Sequence, residues 1–210
     1  MNTRLALLAL ASTPLLALMF RVLTGAFDPM SGYALGLCFY WILLTIAVVA
    51  STTSETRSRL TTARSVGPII ATLCVLPVLI LGLPGMAALD RLPALLLVGI
   101  AVAAATNGFL EELFWRGALV PNPTLPQAAG AVVLFAFWHV ALLAAQGVSL
   151  PGGPATLLLG AAFLGSVWMA ARLSSGTVGL SALSHAGVNL FAFIILAAEN
   201  LASEKALQAG

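Results

Sequence analysis

Long apolar stretches separated by short polar or Pro/Gly-rich turns account for almost the whole chain. Seven stretches are recognisable to within a few residues, at about 5–27, 31–50, 66–89, 92–118, 127–146, 155–172 and 177–198. Each is close to the roughly 20 residues that a helix needs to cross a bilayer. Spanning segments must be helical, because hydrocarbon offers no partner for open backbone amides. The pattern therefore predicts an all-α, polytopic membrane helix bundle with about seven transmembrane helices.

Composition supports a membrane protein and excludes several other classes. Of the 210 residues, 60% are hydrophobic and only 8% are charged, whereas about a quarter of the residues of a soluble domain are charged. Apolar runs of this length also exclude an outer-membrane β-barrel, whose strands alternate polar and apolar residues. Little of the chain remains for a soluble domain. We therefore expect a single transmembrane domain over residues 1–210.

Charge and cysteine content narrow the possible partners. The net charge is +2 and no basic stripe recurs along the chain, so we expect the lipid bilayer and no nucleic acid as a partner. The two cysteines, Cys38 and Cys74, lie inside apolar runs. That placement fits neither a disulfide framework nor a metal knuckle, and small apolar packing residues are expected there.

The basic residues predict an orientation in the membrane. The polar stretch 51–65 carries Arg57, Arg59 and Arg64. If this basic loop is cytoplasmic, Arg4 also lies inside, together with Arg116 and Arg172 in later loops. The outer side then holds only Arg21, Arg91 and Lys205. This distribution satisfies the positive-inside rule and predicts a cytoplasmic N-terminus and an external C-terminal tail.

The first segment has a second interpretation. Arg4, the apolar stretch after it and the small residues 24–26 loosely resemble a cleavable signal peptide. Arg21, close to the would-be cleavage site, and the length of the stretch argue against removal. We expect a retained helix.

Ionisable and polar residues inside the apolar spans of the second half form three short motifs. Each charge near the middle of a bilayer costs about 2.5–3.5 kcal/mol, so such residues indicate a functional site. The motifs are Glu111-Glu112-Leu113-Phe114-Trp115-Arg116, Phe135-Ala136-Phe137-Trp138-His139 and His185-Ala186-Gly187-Val188-Asn189. In each motif, two of these residues are four positions apart and therefore share one helix face. The pairs are Glu112 with Arg116, Phe135 with His139, and His185 with Asn189. Each helix can thus direct a polar stripe at a common interior.

The sequences EELFWRG, FAFWH and HAGVN resemble the three motifs of the CPBP family (CAAX proteases and bacteriocin-processing enzymes, also called Abi proteins). This family includes the Ras-converting CAAX endopeptidase, and its pattern is EExxxR, FxxxH and HxxxN or HxxxD on successive membrane helices. All three motifs occur here in order, over about 111–189. The resemblance implies a motif-bearing catalytic core at about 92–198 and variable N-terminal helices over 1–65.

The resemblance also implies an activity. The family is regarded as glutamic proteases that cleave peptides through an activated water without a metal. Eukaryotic relatives act on prenylated CAAX tails, and bacterial members are associated with bacteriocin maturation, immunity and protein sorting. We therefore expect an intramembrane endopeptidase of the bacterial cytoplasmic membrane, acting on a membrane-associated peptide or protein.

Motifs of other intramembrane proteases are absent from the sequence. There is no HExxH motif, as zinc site-2 proteases require, and no G-x-S-x-G elbow. Neither aspartate, Asp28 or Asp90, lies in a GxGD sequence, and Ser174-Ser175-Gly176 lacks the preceding glycine of a rhomboid-like GxSG. An activated water therefore remains the expected nucleophile.

Residue chemistry gives each motif residue an expected role. Glu111 is the candidate base, because a carboxylate in a mostly apolar site is a stronger base than one in water. His139 could share the same water and then protonate the leaving amine. His185 and Asn189 lie one turn apart and can both donate hydrogen bonds to an oxyanion.

Glu112 and Arg116 are expected to support the site. They form an i,i+4 acid-to-base pair that neutralises two costly charges, which indicates a positioning role for Glu112. The choice of base between the two glutamates stays open, since they lie on different stripes of the helix. Glu111 shares its stripe with Asn107 and Trp115, and Glu112 shares its own with Gly108 and Arg116. Phe135 is expected to pack, and no role is assigned to Trp41, Trp115, Trp138 or Trp168.

Two alternatives use the same residues. Glu111, Glu112, His139 and His185 supply ligands that a Zn²⁺ site accepts. The metal-free form is preferred, because Asn189 and Arg116 suit a hydrogen-bonding site better than a coordination shell.

A different class is a non-enzymatic immunity or scaffold protein of the same fold, in which the polar cluster only locks the helices together. A transporter is less consistent with the sequence, because no internal repeat relates the two halves.

Overall fold

The computed structural model describes the backbone of residues 1–209 and the side chains of residues 1–203. Its helices are α1 (Thr3–Ala26), α2 (Pro29–Ser51), α3 (Ser54–Thr61), α4 (Pro68–Ala88), α5 (Ala94–Glu112), α6 (Leu125–Trp138), α7 (Gly153–Ser175) and α8 (Gly179–Ala209). Short 3₁₀ segments follow α4 and α6, at Leu89–Arg91 and His139–Ala144. The α5 helix continues as a π-helix over Leu113–Ala118. No strand occurs within residues 1–209.

Seven of these helices, all except α3, are long and apolar enough to cross a membrane. Most of the predicted spans match these helices to within a few residues, so the predicted all-α bundle is confirmed. The last one differs more, because α8 continues to Ala209, where a polar tail was expected after about residue 198. Another difference lies in the polar stretch 51–65, which was expected to be a loop and contains α3. The Thr53 hydroxyl caps α3 by accepting a hydrogen bond of 3.1 Å from the Thr56 amide.

Helix starts carry local sequence signals. The Asp28 carboxylate caps α2 by accepting a hydrogen bond of 3.0 Å from the Ser31 amide. Hydrogen bonding to the Ser31 side chain, and then to its amide, lowers the pKa of Asp28. Pro29 follows as the first helical residue, where its missing N–H leaves no donor unpaired. Prolines inside the membrane-length helices, at positions 14, 77 and 84, do not end α1 or α4.

Two glycine contacts bring helices close together. A Cβ at Gly32 of α2 would lie 2.5 Å from the Leu23 carbonyl oxygen of α1. A Cβ at Gly108 of α5 would lie 2.6 Å from the Ala186 backbone nitrogen of α8. No side chain fits in either place, so the backbones can approach closely. The second contact brings the glutamates of α5 beside the histidine of α8.

One end of the bundle collects basic residues, and we call it the arginine end. It consists of the start of α1, α3, the ends of α5 and α7, and the start of α8. Backbone hydrogen bonds join these pieces: the Asn2 amide donates to the Leu119 carbonyl at 2.7 Å, and the Val178 amide donates to the Leu60 carbonyl at 2.8 Å. Which end faces the cytoplasm stays a prediction.

The expected loop positions of Arg116 and Arg172 were wrong. Arg116 lies in the π-helical extension of α5 and is 1% exposed, and Arg172 lies in α7 and is 6% exposed. The α7 helix continues to Ser175, past the predicted end of the span. The side chain of Lys205, expected on the outer side, lies outside the described residues.

Candidate functional site

Three of the predicted motifs meet in the interior of the bundle. Glu111 and Glu112 at the end of α5, Arg116 just after it and His185 on α8 are all at most 3% exposed. These four side chains are in direct contact. His139, the first residue of the 3₁₀ segment after α6, and Asn189 on α8 lie beside them.

The wide turn after Glu112 is a local feature of α5. In this π-helical segment the Leu119 amide donates to the Phe114 carbonyl five residues earlier, at 2.9 Å. Such turns are rare and frequently occur at functional sites.

Glu112 is fixed by Arg116 and His185. Its Oε1 accepts a hydrogen bond of 2.9 Å from Arg116 Nη1 and lies 3.1 Å from His185 Nδ1. Arg116 also donates through Nη2 to the Gly165 carbonyl at 3.2 Å, and its guanidinium carbon lies 4.1 Å from the centre of the Phe135 ring. This ion pair has low exposure and several further contacts, which suits a positioning role.

Glu111 is held by neutral donors. Its Oε1 accepts hydrogen bonds from the Tyr40 hydroxyl at 2.8 Å and from Trp138 Nε1 at 3.2 Å. The Tyr40 hydroxyl in turn accepts from Trp115 Nε1 at 3.2 Å. Glu111 Oε2 lies 3.3 Å from His185 Nε2 but has no hydrogen-bond partner of suitable geometry among the described residues. Oε1 of Glu111 is therefore fixed by neutral donors and Oε2 is unpaired. Oε2 of Glu112 is unpaired as well within the described part of the chain, so the two carboxylates differ in what binds Oε1.

His185 lies between the two carboxylates. Its ring stacks on Trp168, with ring centres 3.8 Å apart. Trp168 Nε1 donates to the Ser184 hydroxyl at 3.0 Å, and that hydroxyl donates to the Cys74 carbonyl at 2.6 Å. Since each ring nitrogen faces a glutamate, His185 can donate to an oxyanion only by turning away from one of them.

His139 is half-buried, and its tautomer follows from its backbone contact. Nδ1 lies 2.8 Å from the Phe135 carbonyl oxygen. A carbonyl only accepts hydrogen bonds, so the neutral ring carries its proton on Nδ1 and presents Nε2 as an acceptor. The ring packs edge-on against Phe135, with centres 4.7 Å apart. Its neighbour Trp138 is one of the donors to Glu111.

Asn189 offers a free donor. It is 9% exposed, and its Nδ2 has no hydrogen-bond partner among the described residues. A buried N–H left unpaired costs about 1–3 kcal/mol. A substrate oxygen could remove that cost, which fits the predicted role in binding an oxyanion.

The two stripes of α5 lead to different neighbours, as the helical spacing predicted. Asn107, on the stripe of Glu111, accepts a hydrogen bond of 2.8 Å from Trp41 Nε1 on α2. Gly108, on the stripe of Glu112, contacts Ala186 on α8. Both glutamates contact His185 of α8, but only Glu111 also binds side chains of α2 and α6.

Sequence reasoning missed the aromatic donors. Tyr40, Trp138, Trp115 and Trp168 all bind or stack on site residues, and Tyr40 belongs to the N-terminal helices, which have no motif. A buried Tyr or Trp usually finds a partner for its polar atom, so these residues carried a signal. The sequence alone did not name the partners, because Tyr40 and Glu111 are 71 positions apart.

No group of three or more His, Cys, Asp or Glu side chains is arranged to hold a metal ion within residues 1–203. The zinc alternative is a question of metal dependence in solution, and it stays untested.

These features define a polytopic membrane protein with a buried carboxylate and histidine site. Residues 93–191, a little under half of the chain, match the family model described as type II CAAX prenyl endopeptidase Rce1-like. The matched range contains all three motifs, and the match confirms the family resemblance predicted from them. This is a family of proteases, which supports peptidase activity. No curated protein and no solved structure matches the chain.

Proposed function

We propose that this chain is an intramembrane endopeptidase that hydrolyses a peptide bond of a membrane-associated substrate through a water activated by Glu111 and His139. The observation that carries the proposal is the state of Glu111. It is a buried carboxylate with one oxygen fixed by two neutral donors and the other without a hydrogen-bond partner among the described residues. The match to a protease family supports the same reaction class.

The reaction begins with the water. Glu111 Oε2 accepts a proton from the water as its oxygen attacks the scissile carbonyl carbon, and His139 Nε2 is a second acceptor for the same water. The carbonyl carbon becomes tetrahedral and its oxygen becomes negative. The proton that Glu111 accepted from the water then passes to the leaving nitrogen as the C–N bond breaks. The products are a carboxylic acid and an amine.

Hydrogen-bond donors stabilise the negative oxygen. Asn189 Nδ2 is unpaired and donates first. His185 is the second donor in this scheme: once Glu111 has taken up the proton, an N–H at His185 Nε2 turns from Glu111 Oε2 to the negative oxygen. This role requires an N–H at Nδ1 as well, because Nδ1 faces the Glu112 carboxylate. Glu112 and Arg116 do not transfer protons in this scheme; Arg116 pairs with Glu112, and Glu112 holds His185 through Nδ1.

The substrate is a peptide or protein in the membrane, cleaved near its membrane-proximal end. Glu111 and His185 both lie within a few turns of the arginine end. In the predicted orientation this end faces the cytoplasm of a bacterial cell. The site would then open to the inner leaflet of the cytoplasmic membrane.

The test compares the wild-type chain with Glu111→Gln, both purified in detergent. The probes are peptides with a lipid-modified cysteine followed by three residues, with matched unmodified peptides, and cleavage is followed by mass spectrometry. We expect cleavage by the wild type only, and undiminished activity after metal chelation. Cleavage that persists in Glu111→Gln and His139→Ala would contradict the proposed mechanism.

A cellular experiment separates the enzyme from the non-enzymatic alternative. Membrane proteomes of cells with wild-type protein and cells with Glu111→Gln are compared at equal protein levels. We expect an uncleaved precursor to accumulate with the variant. A phenotype that depends only on the amount of protein, with no precursor, would favour an immunity or scaffold protein.

A further inference from the structure

A polar cavity of about 670 Å³ lies at the arginine end, and we call it the arginine basin. It is lined by arginines, hydroxyl groups and small residues, chiefly Arg59, Arg64, Arg172, Thr52, Thr56 and Thr177. No Asp or Glu lines it among the described residues. The ion pairs of the described side chains involve Arg116 and His185, not the arginines of the basin.

Arg172 is fixed before any ligand arrives. Its Nε donates to the Arg116 carbonyl at 2.9 Å, and its Nη2 donates to the Pro121 carbonyl at 2.8 Å. Both partners are neutral, so the positive charge is not compensated by them. Arg59 and Arg64 are exposed and complete the positive wall. Guanidinium groups in this arrangement suit phosphate oxygens, which accept several charge-assisted hydrogen bonds.

An apolar groove of about 530 Å³ lies next to the basin, between α1 and α2. Asn2 and Ser51 line both cavities, so the groove and the basin adjoin each other. Leu8, Leu43 and Ile46 line the groove and are 52%, 48% and 60% exposed. Because these apolar residues are exposed on membrane-length helices, the groove opens sideways to lipid.

We propose that the arginine basin and this groove together bind one anionic phospholipid. The phosphate lies among Arg59, Arg64 and Arg172, and one acyl chain lies between α1 and α2. A free anion would leave the apolar groove empty, and a neutral lipid would leave the charge of the arginines uncompensated. Basic pockets between transmembrane helices are known to bind anionic lipid headgroups.

The deep end of the groove is formed by Tyr40, Trp115 and Trp138. Tyr40 and Trp138 are the two donors to Glu111, and Trp115 binds Tyr40. An acyl chain would therefore pack against the residues that orient the carboxylate. A dependence of peptidase activity on anionic lipid follows, and this consequence alone rests on the proposed function.

The experiment measures lipid binding without any substrate, so its outcome is independent of whether the chain is a protease. The full chain is first placed in nanodiscs that contain equal amounts of phosphatidylglycerol and phosphatidylcholine. It is then purified from them together with the lipids that it retains. The retained lipids are then measured by mass spectrometry. We expect the wild type to retain phosphatidylglycerol selectively. The double variant Arg59→Gln/Arg64→Gln should lower the ratio of the two lipids by about tenfold, and Arg59→Lys/Arg64→Lys should keep most of it.

Matched controls separate a site from a general effect of charge. Arg21→Gln/Arg91→Gln removes two exposed charges from the opposite end of the bundle and should leave the ratio unchanged. An equal loss in this control would overturn the proposal. Size-exclusion chromatography and circular dichroism of each variant establish that it is folded.

A second pair of variants tests the groove. Ala50→Phe fills the groove at a lining position, and Val49→Phe adds the same bulk at an exposed neighbour that does not line it. We expect Ala50→Phe alone to reduce phosphatidylglycerol retention several-fold. If Ala50→Phe has no effect and millimolar inorganic phosphate displaces the lipid, the basin is an anion site only. Displacement by a peptide with a free C-terminal carboxylate, and not by excess lipid, would assign it to substrate. Either result would overturn the lipid proposal.

Discussion

The two faces of α5 carry adjacent glutamates in very different surroundings. The face toward α2 and α6 presents Glu111 to a hydroxyl and an indole, both neutral. The face toward α8 presents Glu112 to Arg116 and His185, which are charged or can be. The first face leaves the charge of the carboxylate uncompensated by its donors, and the second neutralises it.

This difference shows how two chemically identical side chains can take separate roles. Protonation of the carboxylate held by the arginine would break a buried ion pair. The carboxylate held by a hydroxyl and an indole has no such ion pair with arginine to lose. This contrast supports the proposal that Glu111 is the base and that Glu112 fixes His185.

Replacing Glu111 should affect activity far more than stability. Glu111→Gln keeps an oxygen for Tyr40 and Trp138 but cannot take up the proton of the water. We expect peptide cleavage to fall by about 10²–10⁴-fold, the usual contribution of a general base. Resistance to unfolding in SDS should change little. A loss of stability as large as the loss of activity would show that Glu111 is mainly structural.

Breaking the pair on the other face should destabilise the fold. Arg116→Met leaves Glu112 buried without its charged partner, and we expect a loss of about 3–5 kcal/mol in the free energy of unfolding. The double variant Arg116→Met/Glu112→Gln should recover most of that loss, because no unpaired charge remains. Unfolding in SDS, followed by tryptophan fluorescence, measures both. If the double variant is no more stable than Arg116→Met, the ion pair is not the source of the effect.

Removing the Tyr40 hydroxyl is a smaller change on the face of α5 that carries Glu111. Tyr40→Phe deletes the donor to Glu111, and a hydrogen bond to a charged group contributes about 1.5–3 kcal/mol. We expect cleavage to fall by about 10- to 100-fold. Tyr33→Phe is the control: Tyr33 lies two helical turns before Tyr40 on the same face of α2, and its hydroxyl makes no hydrogen bond among the described residues. Equal effects of the two variants would argue against a role for Tyr40 in orienting Glu111.

The smallest change concerns the spacing between α5 and α8. Gly108→Ala places a methyl group against the backbone of Ala186, and overpacking of this kind costs about 1–3 kcal/mol. Gly99→Ala, on the same helix, has no atom within 4 Å of the new methyl group and should be neutral or stabilising. Unfolding in SDS compares them. Equal stabilities would mean that the close helix contact does not hold His185 against the glutamates.

Features that depend on residues close in sequence were predicted well. The seven spans follow from the length of the apolar runs, and the Glu112–Arg116 pair follows from helical spacing. Features that depend on neighbouring helices were not predictable in the same way. The hydrogen bond from Tyr40 to Glu111 joins α2 to α5, and nothing in the apolar sequence of α2 names its partner.

Two helical regions were expected to be loops because their sequences are polar. Arg172 was expected in a loop because the apolar run ends there, yet two backbone carbonyls at the arginine end allow it to stay inside α7. The polar stretch 51–65 lacks the apolar periodicity of a membrane helix, and α3 forms there from a Thr53 cap and packing of Leu60, which is 6% exposed.

The Glu112–Arg116 contact has a consequence for how the chain is made. The two residues lie on the same span, so their charges can cancel as soon as this segment leaves the ribosome and enters the bilayer. His185, the other partner of Glu112, is synthesised about seventy residues later. It therefore cannot neutralise Glu112 while α5 is being inserted. A span that neutralises its own charge can be inserted before α8 exists. Tyr40, which donates a hydrogen bond to Glu111, lies in α2 and is therefore synthesised before Glu111.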